Sequence, residues 1–165
     1  RLPWLLIGMI GGIGNSMILG NFDSTFAAHP EMALYIPLIG GTGGNVGTQS
    51  SAIVVQGLAN SSLDAENTLK QVLKESTVAL INATIISMLV YIYNFVRFGA
   101  TATVTYSVSI SLFAVVMFAS IFGTLVPMTL EKLKIDPAIA TGPFISITND
   151  IIGMMIYMGI TTLLS

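Results

Sequence analysis

The sequence predicts an all-α integral membrane protein with five transmembrane helices per chain. Only 8% of its 165 residues are charged, whereas soluble domains contain about 25%. The apolar residues make up 53%, and the charges cluster between long uncharged stretches. Each stretch is long enough to cross a hydrocarbon core about 30 Å thick. So few charges could not coat the surface of a soluble domain.

Five spans follow from the positions of these stretches and of the polar connections between them. Span 1 is predicted at about 3–21, where Pro3 suits a first helical turn and Trp4 an interfacial anchor. Span 2 follows a polar connection and covers about 33–59. The last three spans are predicted at about 76–96, 104–130 and 138–164.

The basic residues predict the orientation in the cell (inner) membrane. One side of the membrane carries five of them: Arg1, Lys70, Lys74, Lys132 and Lys134. Because basic residues favour the cytoplasmic side, we expect a cytoplasmic N-terminus and an external C-terminus. The chain begins with arginine, so we expect it to be the membrane part of a longer protein. No basic run or phosphate-binding loop predicts a nucleic-acid partner, and the absence of cysteine excludes thiolate metal sites.

Asp150 is a lone carboxylate in the last span, where an ionised acid costs a few kcal/mol. No Lys or Arg follows Lys134, so a mobile cation is the partner that the sequence predicts. Asn149 flanks a face of small and polar residues that includes the acid: Gly142, Ser146, Asp150, Gly153 and Tyr157. This face is predicted to line a pore, with a helix-packing seam and a proton-carrying aspartate as the alternatives.

Span 2 contains a dense run of glycines after Pro37. Proline and glycine weaken a helix, and broken backbone at membrane depth is tolerated where it lines a water-filled cavity. Freed carbonyls near Gly44, with the amide oxygens of Asn45 and Gln49, are therefore candidate ligands for a hydrated cation. Small residues for close helix packing are the alternative. Both interpretations can hold, since close packing can bring the backbone to the pore, and we expect valine at Gly44 or Gly47 to impair conduction more than folding.

Span 1 has a ladder of small residues four positions apart: Gly8, Gly12, Ser16 and Gly20. This spacing is typical of close helix contact, so we interpret it as a packing surface. His29, in the connection that follows, is interpreted as a surface residue.

The charge and the ligand chemistry favour Mg²⁺. Two copies of Asp150 across a twofold axis would balance one divalent cation, and twofold symmetry is the commonest in oligomers. Oxygen ligands suit Mg²⁺, Ca²⁺ or Mn²⁺ better than copper or zinc. Because Mg²⁺ keeps its waters and needs only one or two carboxylates, it fits this set best.

The same residues carry a family resemblance. The run from Pro37 to Ser50, PLIGGTGGNVGTQS, resembles the signature of the MgtE family of magnesium transporters. The segment 136–150 is similar to the approach to the family's last helix and to the helix itself, and the opening residues 1–5 resemble the start of its membrane domain.

The resemblance implies a homodimeric, Mg²⁺-selective channel with its pore between the subunits. Asp150 matches the pore aspartate, and Gly44, Asn45 and Gln49 match the pore-lining region of span 2. Asp136 matches an acid that helps hold regulatory cations between the membrane and cytosolic domains. We expect residues 1–165 to be one ion-conducting domain in the lipid bilayer, without those cytosolic regulatory domains. Transport of Mn²⁺, Co²⁺ or Ca²⁺ stays open.

Two alternatives remain open: a coupled transporter, and a membrane enzyme or structural anchor. A Na⁺- or H⁺-coupled secondary transporter of divalent cations would want a second acid within the membrane, and the predicted spans 1 to 4 contain none. An enzyme would gather several acids, histidines or arginines at one interface. The predicted spans contain one acid, so we do not expect an enzyme. A structural anchor would need neither Asp150 nor the glycine run.

Overall fold

A computed structural model describes residues 2–22, 27, 30–60, 68–99, 103–136 and 143–164. Within these ranges the regular structure is helical, which confirms the all-α part of the predicted fold class. The five α-helices are α1 (Leu2–Gly20), α2 (Ile36–Ala59), α3 (Thr68–Phe98), α4 (Thr103–Lys132) and α5 (Pro143–Leu164). A 3₁₀ helix, Pro30–Tyr35, leads directly into α2.

Three of these helices are long and apolar enough to cross a membrane: Leu69–Phe98, Val104–Lys132 and Phe144–Leu164. The apolar part of α1, Leu5–Gly20, is shorter. Helix α2 has 24 residues, but glycine, serine, threonine, asparagine and glutamine dilute its apolar ones. The described helices therefore support a membrane protein, and the count of five spans stays a prediction.

Helix α3 begins earlier than predicted, at Thr68, and is 31 residues long. The charged segment before span 3 is thus partly a continuation of the same helix, which contains Lys70, Lys74 and Glu75. The two lysines are exposed, whereas Glu75 is buried. Predicted span 3, at 76–96, contains no acid, but the helix that forms it carries the buried Glu75 one position before that range.

The centre of the bundle is α4, which packs against α2, α3 and α5. Helix α2 also packs on α5, and α1 contacts α5. The main apolar cluster joins residues of the 3₁₀ helix, α2, α4 and α5: Tyr35, Ile39, Val104, Val108, Leu112, Val115, Met154, Tyr157 and Met158. Helices α1 and α3 leave many large apolar side chains exposed, as expected for surfaces that meet lipid.

The small-residue ladder of α1 meets no other part of the chain among the described residues. A Cβ added at Gly8, Gly12 or Gly20 would have nothing within 4 Å. The contact of α1 with α5 is made instead at Gly11, where an added Cβ would overlap the Ile147 side chain. The ladder faces away from α5, and its role as a packing surface stays a prediction.

Candidate functional site

A cleft of about 380 Å³ lies mainly between α2 and α5. Its lining contains polar side chains from three helices: Asn15 of α1, Asn45 and Thr48 of α2, and Ser146 and Asp150 of α5. The backbone of Gly40, Gly41 and Gly44 forms most of the remaining wall on α2. The predicted site residues Gly44, Asn45, Ser146 and Asp150 therefore come together in one cleft.

Glycine at two positions of α2 lets the Asp150 carboxylate approach the helix closely. A Cβ added at Gly40 would lie 3.5 Å from the Asp150 Oδ1 atom. A Cβ added at Gly44 would lie 3.8 Å from the same atom and 3.6 Å from the Ser146 Oγ atom. The two glycines are four residues apart and share one helical face. They form a wall without side chains opposite the acid.

In the part of the chain that the structure describes, Asp150 has no cationic partner. Among the described residues, no hydrogen bond or ion pair reaches its carboxylate, and no basic side chain lines the cleft. The described part of the chain also contains no group of three or more His, Cys, Asp or Glu that could hold a metal ion. A cation in the cleft would thus meet one carboxylate per chain together with neutral amide and hydroxyl oxygens.

The backbone of α2 is continuous through the glycine run, from Ile36 to Ala59. Pro37 lies in the first turn, where its missing N–H breaks no helical hydrogen bond. The prediction of a broken helix with freed carbonyls is therefore wrong. The groups that α2 offers to a ligand in the cleft are the side chains of Asn45 and Thr48.

Next to the cleft, α2, α4 and α5 pack too closely to leave space. A Cβ added at Gly47 would overlap the side-chain amide of Asn149 and lie 3.1 Å from Ile145 Cγ2. A Cβ added at Gly123 of α4 would lie 2.5 Å from the Gly47 carbonyl oxygen. Gly47 thus follows the packing interpretation of span 2, whereas Gly40 and Gly44 follow the cleft interpretation.

The other predicted site residues lie outside the cleft lining. Asn149 is 1% exposed, and neither atom of its side-chain amide has a hydrogen-bond partner among the described residues. Gln49 is exposed on α2, and Asp136 is exposed beyond the end of α4. The cleft lining therefore lacks Asn149, Gln49 and Asp136, and their predicted roles stay predictions.

The predicted pore face of α5 divides into two parts. Ser146 and Asp150 reach the cleft, but Tyr157 is fully buried in the apolar cluster. A Cβ added at Gly153 would lie 3.7 Å from Val115, so this glycine packs on α4. The stripe is therefore a cleft surface at one end and a packing seam at the other. Gly142 and His29 lie outside the described residues.

Sequence reasoning missed three polar residues. Thr48 lies four positions after Gly44, a spacing that could have revealed it. Asn15 could not be assigned to the site, since nothing in the sequence pairs α1 with this cleft.

The third residue, Glu75, lies outside the cleft lining. It is 9% exposed and accepts a hydrogen bond of 3.3 Å from the Gln71 amide. Its backbone oxygen accepts a second, 3.4 Å bond from the Ser120 hydroxyl of α4.

The described helices are long and apolar enough to indicate a membrane protein, and one carboxylate lies among neutral oxygens in a cleft between them. Residues 36–160 match the divalent cation transporter family MgtE. The chain therefore belongs to the MgtE family, which confirms the resemblance found in the sequence.

Three relatives support this assignment, each a magnesium transporter MgtE. The protein of Bacillus subtilis is 33% identical over 162 residues, and that of Thermus thermophilus is 33% identical over 164. The Enterococcus faecalis protein is 30% identical over 163 residues. These matches cover 98%, 99% and 99% of this chain but only 36% of each relative. The chain thus spans about a third of the length of the relatives.

Proposed function

We propose that this chain is the ion-conducting domain of a Mg²⁺-selective channel or transporter. Hydrated divalent cations would cross the membrane beside Asp150 of two subunits. The observation that carries this proposal is the unpaired Asp150 carboxylate, set among neutral oxygens in a cleft of the helix bundle. An acid within a membrane usually faces a watery cavity and serves an ion path, so its missing counter-charge is best supplied by a mobile cation.

The size of the cleft fits a cation that keeps its water. Six waters at about 30 Å³ each occupy about 180 Å³, which is less than the volume of the cleft. Mg²⁺ prefers octahedral oxygen coordination, dehydrates reluctantly and is usually held by one or two carboxylates. The Asn45 amide and the Thr48 and Ser146 hydroxyls can hydrogen-bond to such waters while Asp150 supplies charge.

A second copy of the chain is the best cover for the open side of α2. Gly41, Asn45 and Gln49 are exposed on this helix. Exposed amides in contact with lipid would lack hydrogen-bond partners, which is costly. A twofold partner would shield this face, bring a second Asp150 to the cleft and give Gln49 a place in the pore. This arrangement requires that all five helices cross the membrane.

The names of the relatives favour magnesium as the transported ion. The longer relatives also favour cytosolic regulatory domains in the full-length protein, with Asp136 helping to hold regulatory cations there. The basic residues support a cytoplasmic N-terminus and an external C-terminus.

The test is Mg²⁺ flux into liposomes for wild type and for Asp150→Asn, which removes the charge and nearly keeps the shape. Glu131→Gln is the matched control, because it removes an exposed acid at the end of α4. We expect Asp150→Asn to lose divalent flux and selectivity over monovalent ions, while the control conducts normally. Competition by Ca²⁺, Mn²⁺ and Co²⁺ measures selectivity. Full Mg²⁺ flux through Asp150→Asn would refute the pore assignment.

The buried Glu75 favours a second candidate, a Na⁺- or H⁺-coupled transporter, because it is the additional acid that such a mechanism wants. The discriminating measurement imposes a Na⁺ or a pH gradient at constant Mg²⁺. Coupling predicts that either gradient drives Mg²⁺ against its own gradient and that Glu75→Gln abolishes the effect. A channel predicts flux that follows the Mg²⁺ gradient and membrane potential alone.

A further inference from the structure

The start of α2 is held by a long-range bond instead of a local cap. Tyr35 is the residue before the helix, and its side chain makes no capping hydrogen bond. Its hydroxyl instead donates to the amide oxygen of Asn94, which is 59 positions away on α3. Both side chains are buried, with exposures of 6% for Tyr35 and 0% for Asn94.

The surroundings of this bond keep the tyrosine in one position. Its ring meets the Phe98 ring edge-on, with 6.4 Å between the centroids. It also belongs to the main apolar cluster with Ile39 of α2 and Tyr157 of α5. Because water does not reach the pair, a lost partner would leave a buried polar group unsatisfied. The hydroxyl therefore keeps its hydrogen bond only where α3 places the Asn94 amide oxygen.

The residues that follow Tyr35 form the wall of the cleft. Ile36 and Pro37 line it directly, and Gly40, one turn later, lies against the Asp150 carboxylate. A displacement of Tyr35 would move this first turn with it. The distance between the α2 backbone and the acid thus depends on a bond made outside the cleft.

We propose that Tyr35 and Asn94 are positioning residues, which hold the first turn of α2 against the Asp150 cleft and so set its affinity for the cation. This inference rests on the proposed function, since it concerns the same cleft. Neither residue would touch the ion. Their effect would appear in the apparent affinity for Mg²⁺ more than in the maximal flux.

The test replaces Tyr35 by phenylalanine, which removes the hydroxyl and keeps the ring in the core. We expect the Mg²⁺ concentration for half-maximal flux to rise about fivefold, the factor typical of one lost buried hydrogen bond. The rise in melting temperature that Mg²⁺ produces should shrink in parallel, which gives a readout that does not require flux.

Tyr93→Phe is the matched control. Tyr93 lies near Asn94 on α3, but it is 54% exposed, and its hydroxyl accepts a 3.0 Å bond from Arg97. We expect this variant to match wild type in both measurements. The double variant combines Tyr35→Phe with Asn94→Leu. It should lose no more affinity for Mg²⁺ than the more affected of its two single variants, because the two residues share one bond and act as a unit.

The outcomes separate the two proposals. If wild type shows neither Mg²⁺ flux nor a Mg²⁺-dependent rise in melting temperature, both proposals fail. If wild type responds and Asp150→Asn does not, but Tyr35→Phe keeps the wild-type affinity, only the positioning role fails. A lower melting temperature with unchanged affinity would likewise reduce the pair to a structural contact and overturn the inference.

Discussion

Two pairs of glycines on α2 have the same spacing but different surroundings. Gly40 and Gly44 face the cleft, where an added Cβ would have ordinary contacts with Asp150 and Ser146. Gly43 and Gly47 face the packed interior, where an added Cβ would lie 2.7 Å from Val115 or overlap the Asn149 amide. One pair leaves room beside an acid, and the other lets helices touch.

The difference arises from helical phase. Each residue turns a helix by about 100°, so the two pairs, three positions apart, lie on faces about 60° from each other. One dense glycine run therefore serves two neighbouring surfaces of the same helix. Composition cannot separate these roles, but substitution can, because only one of the surfaces has space for a side chain.

The largest expected effect belongs to Gly47→Val. The new side chain would overlap Asn149 and press on Ile145, both of which are buried. Overpacking typically costs about 1–3 kcal/mol, so we expect a clear fall in melting temperature and in the yield of monodisperse protein. Thermal denaturation in detergent measures the fall in melting temperature.

Gly41→Val is the control for this prediction. Gly41 lies on the same helix but is exposed, with nothing within 4 Å of an added Cβ. We expect its melting temperature to stay near that of wild type. Equal losses from the two variants would mean that the overlap with Asn149 and Ile145 does not determine the cost.

A smaller loss of stability is expected for Gly123→Ala, since it adds only one methyl group, at the contact of α4 with the Gly47 backbone of α2. That methyl group would lie 2.5 Å from the Gly47 carbonyl oxygen, so α4 and α2 must separate. We expect about 1–2 kcal/mol of destabilisation. Unchanged thermal denaturation would show that α4 does not approach α2 this closely.

Gly44→Ala should change conduction without a comparable change in folding. The methyl group fits, at 3.6 Å from the Ser146 hydroxyl and 3.8 Å from the Asp150 carboxylate. Alanine also favours a helix over glycine by about 1 kcal/mol. We expect an unchanged or higher melting temperature and lower Mg²⁺ flux, because the methyl group enters the cleft. If Gly44→Ala conducts Mg²⁺ as well as wild type in liposomes, the conduction path does not pass this part of the cleft.

The smallest effect is expected for Gly12→Ala in α1. Nothing lies within 4 Å of the added Cβ in the chain, so the unfolding free energy should change by no more than about 1 kcal/mol. Thermal denaturation of the single chain tests this, and mass measurement shows whether the substitution weakens a dimer. A large loss of stability in the monomer would contradict the outward direction of the ladder.

Much of the candidate site was accessible from the sequence. A single acid in an apolar span, a glycine-rich span and the absence of a basic partner indicated a cation path, and the cleft does hold Asp150, Ser146, Gly44 and Asn45 together. Ser146 was predictable from its helical spacing to Asp150, and Gly44 and Asn45 from the glycine run. Asp150 itself was predictable because a charge inside a membrane is costly wherever it lies. The cost follows from composition and span length alone.

The pairing of helices was not predictable in this way. Periodicity shows which residues share a face, but not what that face meets. Tyr157 and Ser146 therefore received the same role, although one lies in the core and the other in the cleft. The direction of the α1 ladder and the burial of Glu75 could not be predicted for the same reason.

By itself, the sequence determined that this is an all-helical membrane protein of the MgtE family, and it predicted that the acid in the last span meets a cation. Hydropathy, charge cost and a specific motif are properties of the chain, whatever its neighbours. Only the tertiary structure decided that α2 stays helical through its glycines, that Gly40 and Gly44 meet Asp150 while Gly47 meets Asn149, and that Tyr35 is bonded to Asn94. These contacts depend on the register and rotation of helices distant in sequence, which local pattern leaves open.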